Sequence, residues 1–381
     1  MNDQAMNTVK IDPTYERGTE MSHEPGMPRN GIEMDTSGIS GEFVSMKGER
    51  FYAIGNVDKL KPFLVSIVSS DDHWMFVSSA GGLTAGRISP EKSLFPYITV
   101  DKLHECAAHT ASKTLIRTQA KGGQQIWEPF RDTPIIRQSV SRNLYQNLLG
   151  NKLCFEEINN DLQLVFRYTW ASSDAFGFIR QCELQNLAEK PQTIELLDGL
   201  QNILPAGTPG HAQTNTSNLV NAYKWTELDT ETGLAIYSLY AGITDRAEPC
   251  ESLRANTVFC LGLEGSKVLI SSNQLDDFRL GKQVEQESHK RGIRGAYFAN
   301  QCLELAPMAS KTWQIVADIE KTQGQVVALH HQLAEPIDLA EEITRSVQQG
   351  SDELARLMAS GDAFQTTVRQ RISSEGILKE V

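Results

Sequence analysis

The chain is 381 residues long, 40% hydrophobic and 22% charged, with a formal net charge of -12 at pH 7. That length suits one very large domain or two ordinary ones, and the scattered lysines and arginines exclude the concentrated basic face that nucleic-acid binding needs. No stretch approaches the ~20 consecutive apolar residues of a membrane-spanning helix, so neither a nucleic acid nor a membrane is an expected partner.

Residues 1–45 are polar, carry Pro13, Pro25 and Pro28 and show no sustained periodicity, which predicts a flexible arm. Their opening lacks the basic and then apolar layout of a signal peptide, so a cytoplasmic location is expected. From Phe51 the pattern turns to strands rich in β-branched and aromatic residues: 51–57, 63–69, 74–80, 114–119, 125–130, 135–144, 152–158, 162–172, 234–241, 257–263 and 267–272. Gly81, Gly82 and Gly86 make the densest glycine run. It fits neither phosphate-cradling pattern and reads as a tight hairpin, from which Arg87 is placed to bind an anionic or hydroxyl-rich ligand.

Two further segments have nearly the same layout. Residues 178–198 place Cys182 and Leu184 on one face and Gln181, Glu183 and Gln185 on the other, then resume alternation at Ile194 and Leu196 beyond Pro191. Residues 301–318 do likewise, with Leu303 and Leu305 before Pro307 and Trp313, Ile315 and Ala317 after it. Each is expected to be an antiparallel hairpin with one buried and one wet face. So many strands without β-α-β alternation predict a mainly β fold, a large antiparallel two-sheet sandwich over residues 46–321. Residues 276–289 are charged and are expected to form a short helix crossing it. Beyond it the period becomes helical: Leu339, Ile343 and Val347 are four apart, as are Phe364, Val368 and Ile372. A short helical segment is therefore expected over 322–381, opened at Pro336 and punctuated by Gly350 and Gly361.

The six cysteines form no Cys-x-x-Cys pair, and Cys154, Cys182 and Cys302 sit in alternating strands as small apolar residues. No disulfide framework, metal site or other cofactor is expected. No Gly-x-Ser-x-Gly elbow occurs, and His73, His104, His109 and His211 lie in unrelated contexts. His330 and His331 point to different sides of a helix, which argues against a shared metal. The acidic pairs Asp71-Asp72, Glu156-Glu157 and Asp276-Asp277 are expected at solvated turns or strand ends. The segment 198–225 is the best candidate for ligand contact, with Gln201, Asn202, His211, Asn215, Asn218 and Trp225 around a loop through Pro205, Gly207, Pro209 and Gly210. Amides offer paired donors and acceptors, and a tryptophan offers a flat apolar face, which together suit a sugar. A solvated excursion between strands is the plainer alternative.

Residues 178–198 resemble a hairpin in the N-terminal β-supersandwich of cellobiose-phosphorylase-like enzymes, and residues 303–319 resemble the last hairpin of that domain. Residues 76–87 are similar to its early glycine-glycine turn, and the helices after Pro336 to its helical linker, so the resemblance spans roughly residues 50–375 in order. It implies a galactose-mutarotase-like supersandwich, also found in maltose-phosphorylase-like and glucoamylase-like enzymes. In the family, an aspartic acid of a following (α/α)6 barrel protonates the glycosidic oxygen while inorganic phosphate attacks the anomeric carbon. That barrel is absent from this chain, so the resemblance assigns no catalytic residue. It implies a carbohydrate-binding or structural domain of a glycoside-phosphorylase-like or glycoside-hydrolase-like enzyme, catalytically incomplete by itself. The implied partners are an oligosaccharide or glycoside, and either a second copy in a homodimer or a catalytic barrel. Two other readings stand beside it: a stand-alone aldose epimerase using His211 with Glu227 or Glu264 as acid and base, and a structural module whose helical tail docks a separate barrel.

Overall fold

Period-two alternation builds a succession of strands between residues 40 and 322 in the computed structural model, which describes residues 38–381 apart from 121–122, 132–138, 245–246, 248–249, 336–337, 362–369, 373–377 and 381. In chain order, β1 (Ser40–Met46), β2 (Glu49–Gly55), β3 (Leu64–Ile67), β4 (His73–Ser78) and β5 (Leu83–Arg87) precede the short helix α1 (Val100–Glu105). Then come β6 (Ala111–Ala120), β7 (Gly123–Trp127), β8 (Val140–Asn147), β9 (Leu153–Asn159), β10 (Leu164–Ser173), β11 (Gly177–Asn186) and β12 (Gln192–Ile203). The segment read as an irregular loop holds two short helices, α2 (Gly210–Asn215) and α3 (Ser217–Tyr223). They lead into β13 (Lys224–Leu228), β14 (Ala235–Leu239), β15 (Arg254–Leu261), β16 (Lys267–Leu269), α4 (Leu275–Arg279), β17 (His289–Arg291), β18 (Gly295–Leu305) and β19 (Ser310–Thr322). Two helices follow, α5 (Gln323–Ala334) and α6 (Leu339–Ser360), and then a ribbon of Gln370–Ile372 with Leu378–Glu380. Most of the expected arm, the start of the strand expected at 135–144, Pro336, Phe364 and Val368 lie outside the described residues. The last residues of that arm belong to β1.

The strands form antiparallel sheets. One has eleven strands in the order β1-β2-β8-β9-β10-β11-β19-β15-β14-β13-β17, a second has five in the order β16-β18-β12-β6-β7, and a third is β3-β4-β5. The glycine run at 81–82 is the turn of the β4–β5 hairpin, as expected. One apolar cluster joins all three sheets, with Phe166, Trp170 and Trp313 from the large sheet, Leu196 and Tyr297 from the five-stranded sheet and Met75 and Leu83 from the small one. Each such side chain contributes about 1.5–3 kcal/mol on burial. Arg180 on β11 and Asp198 on β12 cross this interior, both fully buried, with Nη1 donating to Oδ2 at 2.7 Å. Trp313 Nε1 donates to the same oxygen at 2.7 Å, and Thr114 Oγ1 donates to Asp198 Oδ1 at 2.6 Å.

The two segments expected to be hairpins are arches between sheets. β11 pairs with β10 and β19, whereas β12 pairs with β6 and β18. The turn after Asn186 therefore carries the chain from the large sheet to the five-stranded one, and the turn after Leu305 carries it back. Alternation fixes which side chains are buried but not which strand lies alongside, so hairpin and arch read alike in sequence. The arches lie on one another, β11 against β19 and β12 against β18. Fully buried Asn186 ties their corners: Nδ2 donates to Lys190 O (2.8 Å), Ala306 O (3.1 Å) and Leu305 O (3.2 Å). Its Oδ1 accepts from Ala188 N and Gln192 Nε2, both at 2.9 Å.

The helices pack back on the outer sheet faces. Leu339 and Ile343 of α6 join Ile179, Phe259 and Val316 on the outside of the large sheet, with Val326 and Leu329 of α5 beside them. Thr322 and Gln325 form a capping box at the start of α5, and the Asp338 side chain accepts from Glu341 N at the start of α6. Gly361 caps α6, but Gly350 does not interrupt it, because packing on the sheet outweighs the propensity cost of about 1 kcal/mol. The helix expected over 276–289 is confined to the five residues of α4, which covers the outer face of the five-stranded sheet with Phe278 against Leu115 and Leu197. Among the described residues no helix is long and apolar enough to cross a membrane.

Candidate functional site

Side chains two apart on a strand share a face, and register sets which of them line up across strands. On the outer face of the large sheet, Cys154, Thr169, Gln181 and Gln314 lie directly opposite one another on β9, β10, β11 and β19. The row on one side of them is apolar, with Ala171, Ile179 and Val316. The row on the other side is charged, with Glu156, Arg167 and Glu183. Helix α6 covers the apolar row with Ile343 and Val347, while Thr344 and Gln348, four apart on one flank, border the amide row. A hydrogen bond between the Ser346 and Ser173 hydroxyls (2.6 Å) and one donated by Asn151 Nδ2 to Ser351 Oγ (2.9 Å) hold the helix in place.

The space left between helix and sheet is a cleft of about 270 Å³. Lys152 Nζ and Glu49 Oε2 close part of its rim at 2.6 Å. Arg167 is half-buried; burial opposes its charge, but the Glu156 carboxylate outweighs this and raises its pKa. Burial pushes the Cys154 thiol up to about 11, so it stays protonated and unreactive. The Gln314 Oε1 atom is buried on the wall, with no hydrogen-bond partner among the described residues. A buried acceptor left unpaired costs about 1–3 kcal/mol, so this oxygen favours a ligand that brings an O–H or N–H.

None of the seven residues expected at a ligand site lines this cleft. Asn202 sits in a β-bulge of β12 with φ +59°, a conformation asparagine tolerates, and its Nδ2 donates to Thr110 Oγ1 at 2.9 Å. Gln201 beside it is buried with Nε2 unpaired. His211, Asn215 and Asn218 are exposed on α2 and α3. Trp225 lies on the opposite face of β13 from inward-facing Lys224, stacked near Tyr240 (5.9 Å between centroids), with the Arg291 guanidinium 3.6 Å over its ring. Arg87 is paired with Asp72 at 2.7 Å, Asp174 at 3.1 Å and Asp318 at 3.6 Å. Chain order places β12, α2, α3 and β13 in succession, but Asn202 and Trp225 end on different sheets. Glu227 and Glu264 are exposed on β13 and in the turn after β15, each on a different element from His211.

Glu156 and Glu157 are not at a solvated strand end; both are buried in mid-strand β9. Glu157 accepts from Trp127 Nε1 (2.7 Å), Phe130 N (2.6 Å) and Arg142 Nε (2.7 Å), and Glu156 from Tyr145 Oη (2.7 Å). Cys154 and Cys182 are buried, whereas Cys302 is exposed on β18. His330 Nδ1 lies 2.6 Å from Asp229 Oδ2. Gln181 and Gln314 were visible in sequence on the polar faces of two similar segments. Their meeting was not, because it depends on the β11–β19 register.

No family model matches the chain, and no curated protein sequence matches it. Among solved structures it is remotely similar to a bacterial glucoamylase complexed with acarbose, at a TM-score of 0.37 and 8% identity, covering 80% of this chain and 40% of that one. It is similar to a polysaccharide lyase at a TM-score of 0.35 and 9% identity, covering 71% and 34%. It is also similar to a Klebsiella pneumoniae protein assigned as an aldose 1-epimerase, at 0.31 and 12% identity, covering 78% and 91%. The chain thus spans less than half the length of the first two.

Proposed function

We propose that this chain is the carbohydrate-binding β-supersandwich and helical linker of a glycoside-phosphorylase-like or glycoside-hydrolase-like enzyme, catalytically incomplete by itself, and that it takes a neutral sugar in the cleft beneath α6. The observation that carries the reading is the floor of that cleft. A pyranose presents C–H groups on its faces and hydroxyls around its edge. An apolar row beside an amide row that contains an unpaired buried acceptor offers both kinds of contact at once. The order of the elements supports the rest: two arches close the β-rich body, and two helices follow and dock on it, in the sequence order of the resembled domain and linker. The buried carboxylates Asp198, Glu157 and Glu128 are each engaged by arginine or lysine, which suits a scaffold.

Calorimetric titration with cellobiose and with methyl β-glucoside tests the cleft. Binding is expected, and Gln314→Leu is expected to weaken it roughly tenfold, the effect of one lost hydrogen bond to a neutral ligand. Equal affinity in wild type and variant, or no binding at all, rejects the cleft as a sugar site. Incubation with cellobiose and phosphate is expected to release no sugar phosphate, and turnover would overturn the reading of an incomplete enzyme.

A further inference from the structure

Among the described residues four lysines and arginines are buried: Arg117, Arg142, Arg180 and Lys224. Three are matched by carboxylates, Arg117 by Glu195, Arg142 by Glu157 at 2.7 Å and Arg180 by Asp198 at 2.7 Å. Lys224 is the exception. It is 6% exposed at the start of β13, facing inward in step with Leu228, and no hydrogen bond or ion pair from a described residue reaches its ammonium. Burial lowers its pKa to about 8, and the charge that adds to the lowering is another cation, Arg294. The ammonium keeps only a narrow contact with solvent; holding a largely desolvated charge near a like charge is unfavourable, and an anion that reaches both relieves it.

The surroundings fit such an anion. Gly292 N donates to Lys224 O at 3.0 Å, so the segment leading to Arg294 runs directly alongside. A Cβ built on Gly292, whose φ is +71°, would meet nothing within 4 Å, so that side is open. Arg294 is exposed and carries no ion pair among the described residues. The next residue, Gly295, pairs with Ile203, next to the Asn202 that bonds Thr110. That contact brings His109 to the same end of the five-stranded sheet. The His109 pKa is lowered by partial burial, then by Arg294 and Lys113, so these basic groups share one field. Glu128 engages Lys113 at 2.8 Å, but among the described residues no carboxylate engages Lys224 or Arg294.

We propose that Lys224 and Arg294, with His109 at the rim, form a binding site for a doubly charged oxyanion, sulfate or phosphate, free or carried on a larger ligand. The site shares no residue with the α6 cleft and stands whether or not that cleft takes a sugar. Inorganic sulfate is the probe of choice because it stays dianionic across the working pH range. With the full chain, thermal unfolding midpoints are measured against sodium sulfate at constant ionic strength set by sodium chloride. The expected result is a saturating rise for wild type, as binding linkage requires.

Lys224→Met keeps the stem and removes the charge. Its midpoint without sulfate should equal or exceed that of wild type, and its sulfate-dependent rise should vanish. Arg294→Ala alters an exposed residue and should weaken sulfate about tenfold, the scale of one charge-assisted contact. A rise that does not saturate and is shared by all three proteins is general salt stabilisation and overturns the proposal. Glucose 6-phosphate against glucose separates the sources: preference for the phosphate ester supports a carried anion, and sulfate binding without that preference supports a free one. Failure of both to bind overturns the site.

Discussion

Burial without a hydrogen-bond partner sets His73 apart from the other histidines described, its nearest carboxylate being Asp72, with Oδ1 4.0 Å from Nδ1. Neither ring nitrogen has a hydrogen-bond partner, and the ring stands edge-on to Phe178 at 5.1 Å. Burial, and then the Arg87 charge, lower its pKa from 6.5 to about 4, against weaker opposite pulls from Asp318, Asp72 and Asp174. Because the folded form resists the proton, the unfolded chain takes it up first. The contribution is complete above about pH 6.5, is lost as pH falls towards 4, and amounts to about 3 kcal/mol across that window. Urea midpoints at pH 7 and pH 4.5 should therefore fall less steeply for His73→Phe than for wild type, and parallel losses would assign the effect to other groups. The inward position of His73 was legible, since it alternates in step with Met75 and Val77. Its lack of a partner was not, because that depends on which other elements reach β4. The same limit hid the Arg180–Asp198 pair, whose members are neighbours only once two sheets face each other.

Strands were readable element by element, but their partners were not. Residues 178–198 and 301–318 alternate as they would in a hairpin, and only the strands that lie beside β11, β12, β18 and β19 make them arches. The physical cause is that parity commits a strand to a face and leaves its neighbour to be chosen by the rest of the chain. Asn186 bears the consequence, because its single amide serves backbone groups from both corners. Asn186→Ala removes the hydrogen bonds to three carbonyls, the buried one of Leu305 among them, and two to its own oxygen, and should cost about 3 kcal/mol in urea unfolding, with an unchanged denaturant slope. A loss within about 0.5 kcal/mol, typical of an ordinary surface site, would show that water or neighbouring donors replace the amide. The helical period after residue 322 was equally legible, yet which surface the helices would cover was not, since any apolar sheet face would satisfy the pattern.

At the scale of the whole molecule, α5 and α6 shield an apolar strip that includes Ile179, Phe259 and Val316. A chain ended at Thr322 would present that strip to water, and large exposed apolar patches drive association. Sedimentation velocity should show the shortened chain self-associating at concentrations where the full chain sediments as a smaller species. Identical profiles would mean that the helices are not what keeps the face from sticking. In the large sheet, order along the chain and order in space part at β19. β19, the last of its strands along the chain, does not join an edge; it sits between β11 and β15, near the middle. A nascent polypeptide emerging from the ribosome therefore holds two unclosed half-sheets until residues 310–322 are made. Each half waits with a bare strand edge, the condition in which chaperones matter most, and the keystone arrives last.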